Sequence, residues 1–171
     1  MKKTIFLSLF YANLFGFADN LNTFSAHFTQ TVVDDKNTTI KYSGDIKAKR
    51  PNMAMWNYVE PVKKKIYINN QDLVIIEPEL EQAILKKVGN TIAFFEMLKH
   101  AKKIDNEHYV AKYESLNLHI RVNGDKIVDI TYLDELENKV TITFTNQVDN
   151  KEIDDKNFKA DIPIDFDIIY Q

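Results

Sequence analysis

The 171-residue chain contains no cysteine. No disulfide can therefore staple the fold, no thiol can act as a nucleophile, and the residue that lipid-anchored bacterial proteins acylate at their processing site is missing. Glycine is almost as scarce, with four in the whole chain. That leaves no glycine-rich phosphate loop, and there is no GxSxG or HExxH pattern either. The four histidines, His27, His100, His108 and His119, show no metal-ligand spacing and read as solvent-facing side chains. Carboxylates such as Asp34, Asp35, Asp154 and Asp155 fall at turns or on polar strand faces, with no acid and base enclosed together by apolar residues. Catalysis is not expected, and neither is a bound cofactor or metal. The net charge of −3, with basic residues dispersed rather than gathered, argues against a nucleic-acid partner.

No apolar run is long enough to span a bilayer, but a shorter one opens the chain. Lys2 and Lys3 precede residues 5–17, mainly apolar and interrupted by Asn13, and Gly16-Phe17-Ala18 offers small residues where a signal peptidase reads. The pattern predicts a cleavable export signal over residues 1–18 and a single domain over residues 19–171. Cleavage leaves 153 residues and takes the net charge from −3 to −5. An exported, freely diffusing protein is expected.

Along the mature chain the apolar period is two nearly everywhere. Ile40, Tyr42, Gly44, Ile46 and Ala48 face one way while Lys41, Ser43, Asp45, Lys47 and Lys49 face the other. Comparable stretches at 24–32, 53–58, 64–68, 73–76, 82–88, 108–113, 116–122, 128–132, 140–144 and 158–170 bring the count to about eleven strands, punctuated by Pro61, Asn69-Asn70, Pro78 and Asn123-Gly124. Such a series, apolar on one face, should curl into a barrel-like antiparallel sheet. The interruption starts at Thr91, a good N-cap, and runs through Phe94, Phe95, Met97 and Leu98 toward Ile104. This helix is apolar around most of its circumference. It either plugs the barrel as core or sits as a lid over an apolar mouth.

Residues 49–61 are the most informative segment. Arg50, Asn52, Ala54, Trp56 and Tyr58 share one parity, which sets a guanidinium at the edge of an aromatic surface. A charge there needs acceptors, such as a helix C-terminus or loop carbonyls on whatever covers the surface. Candidate groups for shielding an apolar ligand are Phe28, Ile40, Tyr42, Ile46, Trp56, Tyr58, Leu118, Ile120, Ile130, Tyr132, Ile142 and Phe144, with the four helix residues above. For each, plain core packing is the competing reading.

The Lys-Arg-Pro block with its downstream Trp56 and Pro61 resembles the LolA family of periplasmic lipoprotein carriers. So do residues 77–83, Gly89-Asn90-Thr91, residues 130–135, residues 140–144, and the closing stretch from Phe158 through Pro163 to Ile169. The resemblance implies an unclosed antiparallel half-barrel whose concave face holds acyl chains under a helical lid. It also implies a lid-tethering role for Arg50, a cavity role for Trp56, and a monomeric protein in the periplasm. Its cargo, outer-membrane lipoproteins, would come from an inner-membrane ABC transporter and pass to an outer-membrane acceptor. The chain departs from the family pattern in its short segment before Phe24, in Val74 and Ile76 where aromatics are common, and in Asn70 where glycine is usual. A sensor, or a binder of free lipids or glycolipids, on the same fold is the alternative.

Overall fold

The computed structural model describes residues 18, 20–87, 94–113 and 115–171. Within them one sheet runs through twelve strands: β1 (Thr23–Val33), β2 (Thr39–Lys49), β3 (Met53–Glu60), β4 (Lys64–Asn69), β5 (Asp72–Glu77), β6 (Gln82–Lys87), β7 (Lys102–Lys103), β8 (His108–Tyr113), β9 (Leu116–Asn123), β10 (Lys126–Leu133), β11 (Lys139–Asp149) and β12 (Asp167–Tyr170). Helix α1 (Phe94–Lys99) interrupts the series. The spatial order is β12-β6-β5-β4-β3-β2-β1-β11-β10-β9-β8-β7, so β12 and β7 are two free edges and the barrel stays open. Strands β1 to β6 and β7 to β11 each pair antiparallel with the next in sequence, and β1 joins the two runs by pairing with β11. No helix among the described residues is long and apolar enough to cross a membrane.

Alternation sets the faces. Phe24, Ala26 and Phe28 on β1, Ile46 and Ala48 on β2, Ala54 on β3, Ile68 on β4 and Leu118, Ile120 and Val122 on β9 form one continuous buried cluster. Their neighbours in sequence carry the lysines, threonines and aspartates of the outer face. On β10 the register shifts between Ile127 and Asp129. This bulge brings Ile127, not Val128, into the core cluster with Ile130, against strict alternation.

Two expectations need correction. The helix does not run to Ile104: it ends at Lys99, and Lys102 and Lys103 pair with β8 as an edge strand. The closing strand is not 158–170 but Asp167–Tyr170, and it joins β6 in parallel. Phe158 instead ends a 3₁₀ turn, Asp155–Phe158, capped by the Asp154 carboxylate accepting from the Lys156 backbone N–H. Its ring is buried while Lys47 donates to the Asn157 side chain at 2.8 Å and Lys49 to the Ile153 carbonyl at 3.0 Å. Both lysines belong to the outer parity of β2. The C-terminal segment therefore straps the convex face, where Ile76 and Ala83 are also buried. Thr91 lies outside the described residues, as does the Met97 side chain.

Gly44 is fixed by close approach rather than by backbone conformation. A Cβ there would meet the Asn57 carbonyl oxygen of β3 at 2.0 Å and the Phe28 ring at 3.0 Å. Gly44→Ala should therefore destabilise the sheet by about 3 kcal/mol, read as a lower urea midpoint by circular dichroism. Gly124→Ala, with open space around it but φ of +59°, should cost only about 1 kcal/mol.

Candidate functional site

The concave face divides into a filled half and an empty half. At the end of the sheet where β1 begins, α1 inserts Phe94, Phe95 and Leu98, all buried. Phe94 lies 4.7 Å from Phe24 and 6.4 Å from Phe144, centroid to centroid, and Phe95 packs edge-on to Phe94 at 5.5 Å. Each such side chain contributes about 1.5–3 kcal/mol of burial. Toward the opposite end, where β1 turns into β2, no helix among the described residues covers the sheet. There an open apolar cavity of about 370 Å³ remains, lined by Gln30, Trp56, Tyr58, Ile66, Ile68, Leu73, Ile75, Leu116, Leu118, Ile130, Tyr132 and Ile142. Its size is in the range of small-ligand sites.

Of the twelve wall residues expected from the sequence, Trp56, Tyr58, Leu118, Ile130, Tyr132 and Ile142 line this cavity. Phe28, Ile46, Ile120 and Phe144 do not: they are almost fully buried and belong to the core. Tyr42 stands behind Tyr58, ring centroids 6.1 Å apart. Ile40, near the start of β2, is 47% exposed and does not line this cavity. Sequence reasoning missed Ile66, Ile68, Leu73, Ile75, Leu116 and Gln30. The first five sat inside recognised strands with the correct parity, and that signal was sufficient to find them. Gln30 carried no apolar signal at all.

Larger grooves exist, with charged side chains set among the apolar ones in their walls. One of about 530 Å³ is bounded by Asp134, Glu135, Glu137 and His119, and one of about 590 Å³ by Lys86, Lys87, Lys159 and Asp72. Burying an apolar chain against these would strip water from charges. Among the described residues no group of three or more His, Asp and Glu side chains could hold a metal ion.

Arg50 sits at the junction of the filled end with the segment entering β1. Its Nε donates to the Leu21 carbonyl at 2.7 Å and an Nη2 hydrogen to the Ala18 carbonyl at 3.0 Å. Its guanidinium carbon stands 4.8 Å above the centre of the Phe95 ring. The hydrogen bonds thus go to the turn before β1, and the contact with α1 is cation–π. Asn150 ties the same turn down, accepting from the Asn22 backbone N–H at 2.7 Å and donating to the Asn20 carbonyl at 3.0 Å. Ala18, expected to end the signal segment, is buried here.

The chain that forms this half-barrel has relatives. Residues 19–114 match the family described as outer membrane lipoprotein carrier protein LolA. A Campylobacter jejuni protein named outer-membrane lipoprotein carrier protein is 42% identical over 170 residues, covering 99% of both chains. The chain belongs to the LolA family. A Helicobacter pylori protein of the same name is 37% identical, over 81% of this chain and 74% of its own. Solved structures agree on the fold of this LolA-family chain. A LolA superfamily protein from Nitrosomonas europaea superposes with a TM-score of 0.51 at 11% identity, covering 82% of this chain and 91% of its own. An uncharacterised conserved protein from Thermus thermophilus reaches 0.56 at 9% identity, covering 89% and 92%.

The cavity of this LolA half-barrel is not wholly apolar. Tyr58 donates its hydroxyl proton to Gln30 Oε1 at 2.8 Å while its ring packs edge-on to Phe28 at 4.9 Å. Burial, and secondarily the nearby Tyr132 and Tyr42, push the Tyr58 hydroxyl well above the ordinary tyrosine range. Tyr132 shifts upward through burial and then through Asp134. Both groups stay neutral donors at physiological pH. A phenol whose folded pKa is raised stabilises the fold fully below its unfolded value of about 10, and that contribution is lost as pH rises above it. Tyr58→Phe should therefore resist alkali better than the wild type: urea midpoints at pH 7 and pH 11 should fall less between the two conditions in the variant.

Proposed function

We propose that this chain is a soluble periplasmic carrier that shields the acyl chains of outer-membrane lipoproteins while they cross from inner to outer membrane. The observation that carries this reading is the uncovered half of the concave face. It is an aliphatic and aromatic cavity with a mouth, in a sheet whose core is already complete under α1. Each methylene held in water costs about 0.8 kcal/mol, so a chain of roughly 15 carbons costs on the order of 12 kcal/mol unless a protein covers it. Binding without chemistry is the whole task, and the names of the Campylobacter and Helicobacter relatives support it.

Release demands that this gain be partly offset. A long acyl chain must extend beyond the open cavity toward the end that α1 fills, displacing Phe94, Phe95 and Leu98. Arg50 opposes that movement through the Phe95 ring and through its grip on the turn at Ala18 and Leu21. Those contacts reform when cargo leaves, so Arg50 acts as a latch that keeps loading reversible. Residues 1–18 act as the export signal. An inner-membrane lipoprotein-releasing ABC transporter delivers the cargo and an outer-membrane acceptor takes it. If cleavage follows Ala18, the mature latch keeps Leu21 and Phe95 as its partners.

Added to spheroplasts with a matching transporter, purified protein of residues 19–171 should bring outer-membrane lipoproteins into the supernatant. Arg50→Leu should still accept them but hold them about tenfold more tightly against handover, since hydrogen bonds and a cation–π contact no longer compete with cargo. Absence of lipoprotein in the wild-type supernatant would reject the carrier reading.

A further inference from the structure

The cavity carries hydrogen-bonding groups that a pure hydrocarbon cannot satisfy. Gln30 accepts from Tyr58 through Oε1, and its side-chain NH₂ has no partner among the described residues. The Tyr132 hydroxyl, across the cavity on β10, has none either. All remaining wall residues except Trp56 and Tyr58 are aliphatic.

The placement is built rather than incidental. Gln30 pairs with Tyr42 of β2 on one side and Ile142 of β11 on the other. Tyr58 lies on β3, a full strand further away, opposite Gly44. Its hydroxyl reaches Gln30 at 2.8 Å while its ring packs edge-on to Phe28, 4.9 Å centroid to centroid. The Tyr58–Gln30 bond engages the amide oxygen and leaves its two N–H donors available, beside a Tyr132 hydroxyl that can also donate.

Depth matters equally. Phe24, against which α1 packs, and Gln30 lie six residues apart on one strand, roughly 20 Å at about 3.3 Å per residue. Gln30 and Tyr132 lie near the open end, Tyr132 one residue before β10 ends. A chain entering tail first carries its head group at this level.

We infer that Gln30 and Tyr132 form a donor girdle that recognises the carbonyl oxygen of a fatty acyl ester at the cavity mouth, with Tyr58 as the residue that positions Gln30. The inference rests on the carrier reading and extends it. The protein selects acyl esters over alkyl chains of equal length, because an alkyl chain leaves the donors desolvated and unpaired. It also sets the depth of loading, with the tail toward α1 and the ester at the rim.

The test is displacement of bis-ANS from the wild-type protein by 1,2-dioctanoylglycerol and by its diether counterpart 1,2-di-O-octylglycerol, which have the same chain length and head group. The diester should bind roughly tenfold more tightly. Gln30→Leu and Tyr132→Phe should each bring that ratio toward one while binding the diether at least as well as the wild type does, a pattern that general loss of structure cannot produce. Equal wild-type affinities for the two probes would overturn the girdle and leave the carrier standing. A variant that keeps the wild-type ratio would remove its residue from the girdle. If neither probe displaces the dye, the cavity does not take acyl chains at all and both readings fall.

Discussion

A sheet with one apolar face must cover that face, and here the described residues cover only part of it. Twelve strands curl around an interior, but the edges β12 and β7 do not meet, and α1 brings three described core side chains to one end. The consequences run through the whole molecule. Where α1 lies, phenylalanines and aliphatic residues reach the packing of an ordinary interior. Where it does not, the same alternating pattern leaves Trp56, Ile66, Ile75 and Ile142 only partly buried around open space. The cavity needs no residue type of its own.

The convex face is governed by a different economy. Lysines, threonines and aspartates of the outward parity dominate β1 and β2, and facing strands pair them, as in His27 with Asp45 and Arg121 with Asp129. Exposed pairs of this kind contribute little to stability and mainly keep the outer surface wetted. The exception lies over β3 to β6, where the C-terminal segment buries Phe158 and adds β12 along the edge. That strap covers part of the convex face, which leaves the concave side free to stay open.

Two polar devices are set into the apolar interior, at opposite ends. Arg50 joins the turn before β1 to the ring of Phe95, so the covered end is held by directional contacts as well as by burial. Gln30, Tyr58 and Tyr132 mark the uncovered end. Hydrophobic burial alone does not discriminate between depths in a cavity, because one methylene is worth as much as another. Hydrogen bonds do discriminate, and their position at the two ends gives the interior a direction.

Much of this was legible in the sequence, for physical reasons that end at identifiable points. Period two fixed which residues share a face, and with it the half-barrel and six of the twelve cavity walls. The Lys-Arg-Pro block placed a charge that had to find carbonyls, and Arg50 finds them at Ala18 and Leu21. Parity says which side a residue faces but not how far along the curved sheet a helix will come to rest. That choice, made by Phe94 and Phe95 against Phe24 and Phe144, turned Phe28, Ile46, Ile120 and Phe144 into core. It also left Ile66, Leu73 and Ile75 as lining. The bulge that exchanges Val128 for Ile127, the parallel docking of β12 and the burial of Phe158 on the outer face each depend on contacts between segments distant in sequence. Local alternation determined the surface this chain presents to its interior; only the tertiary structure decided how much of it would be filled.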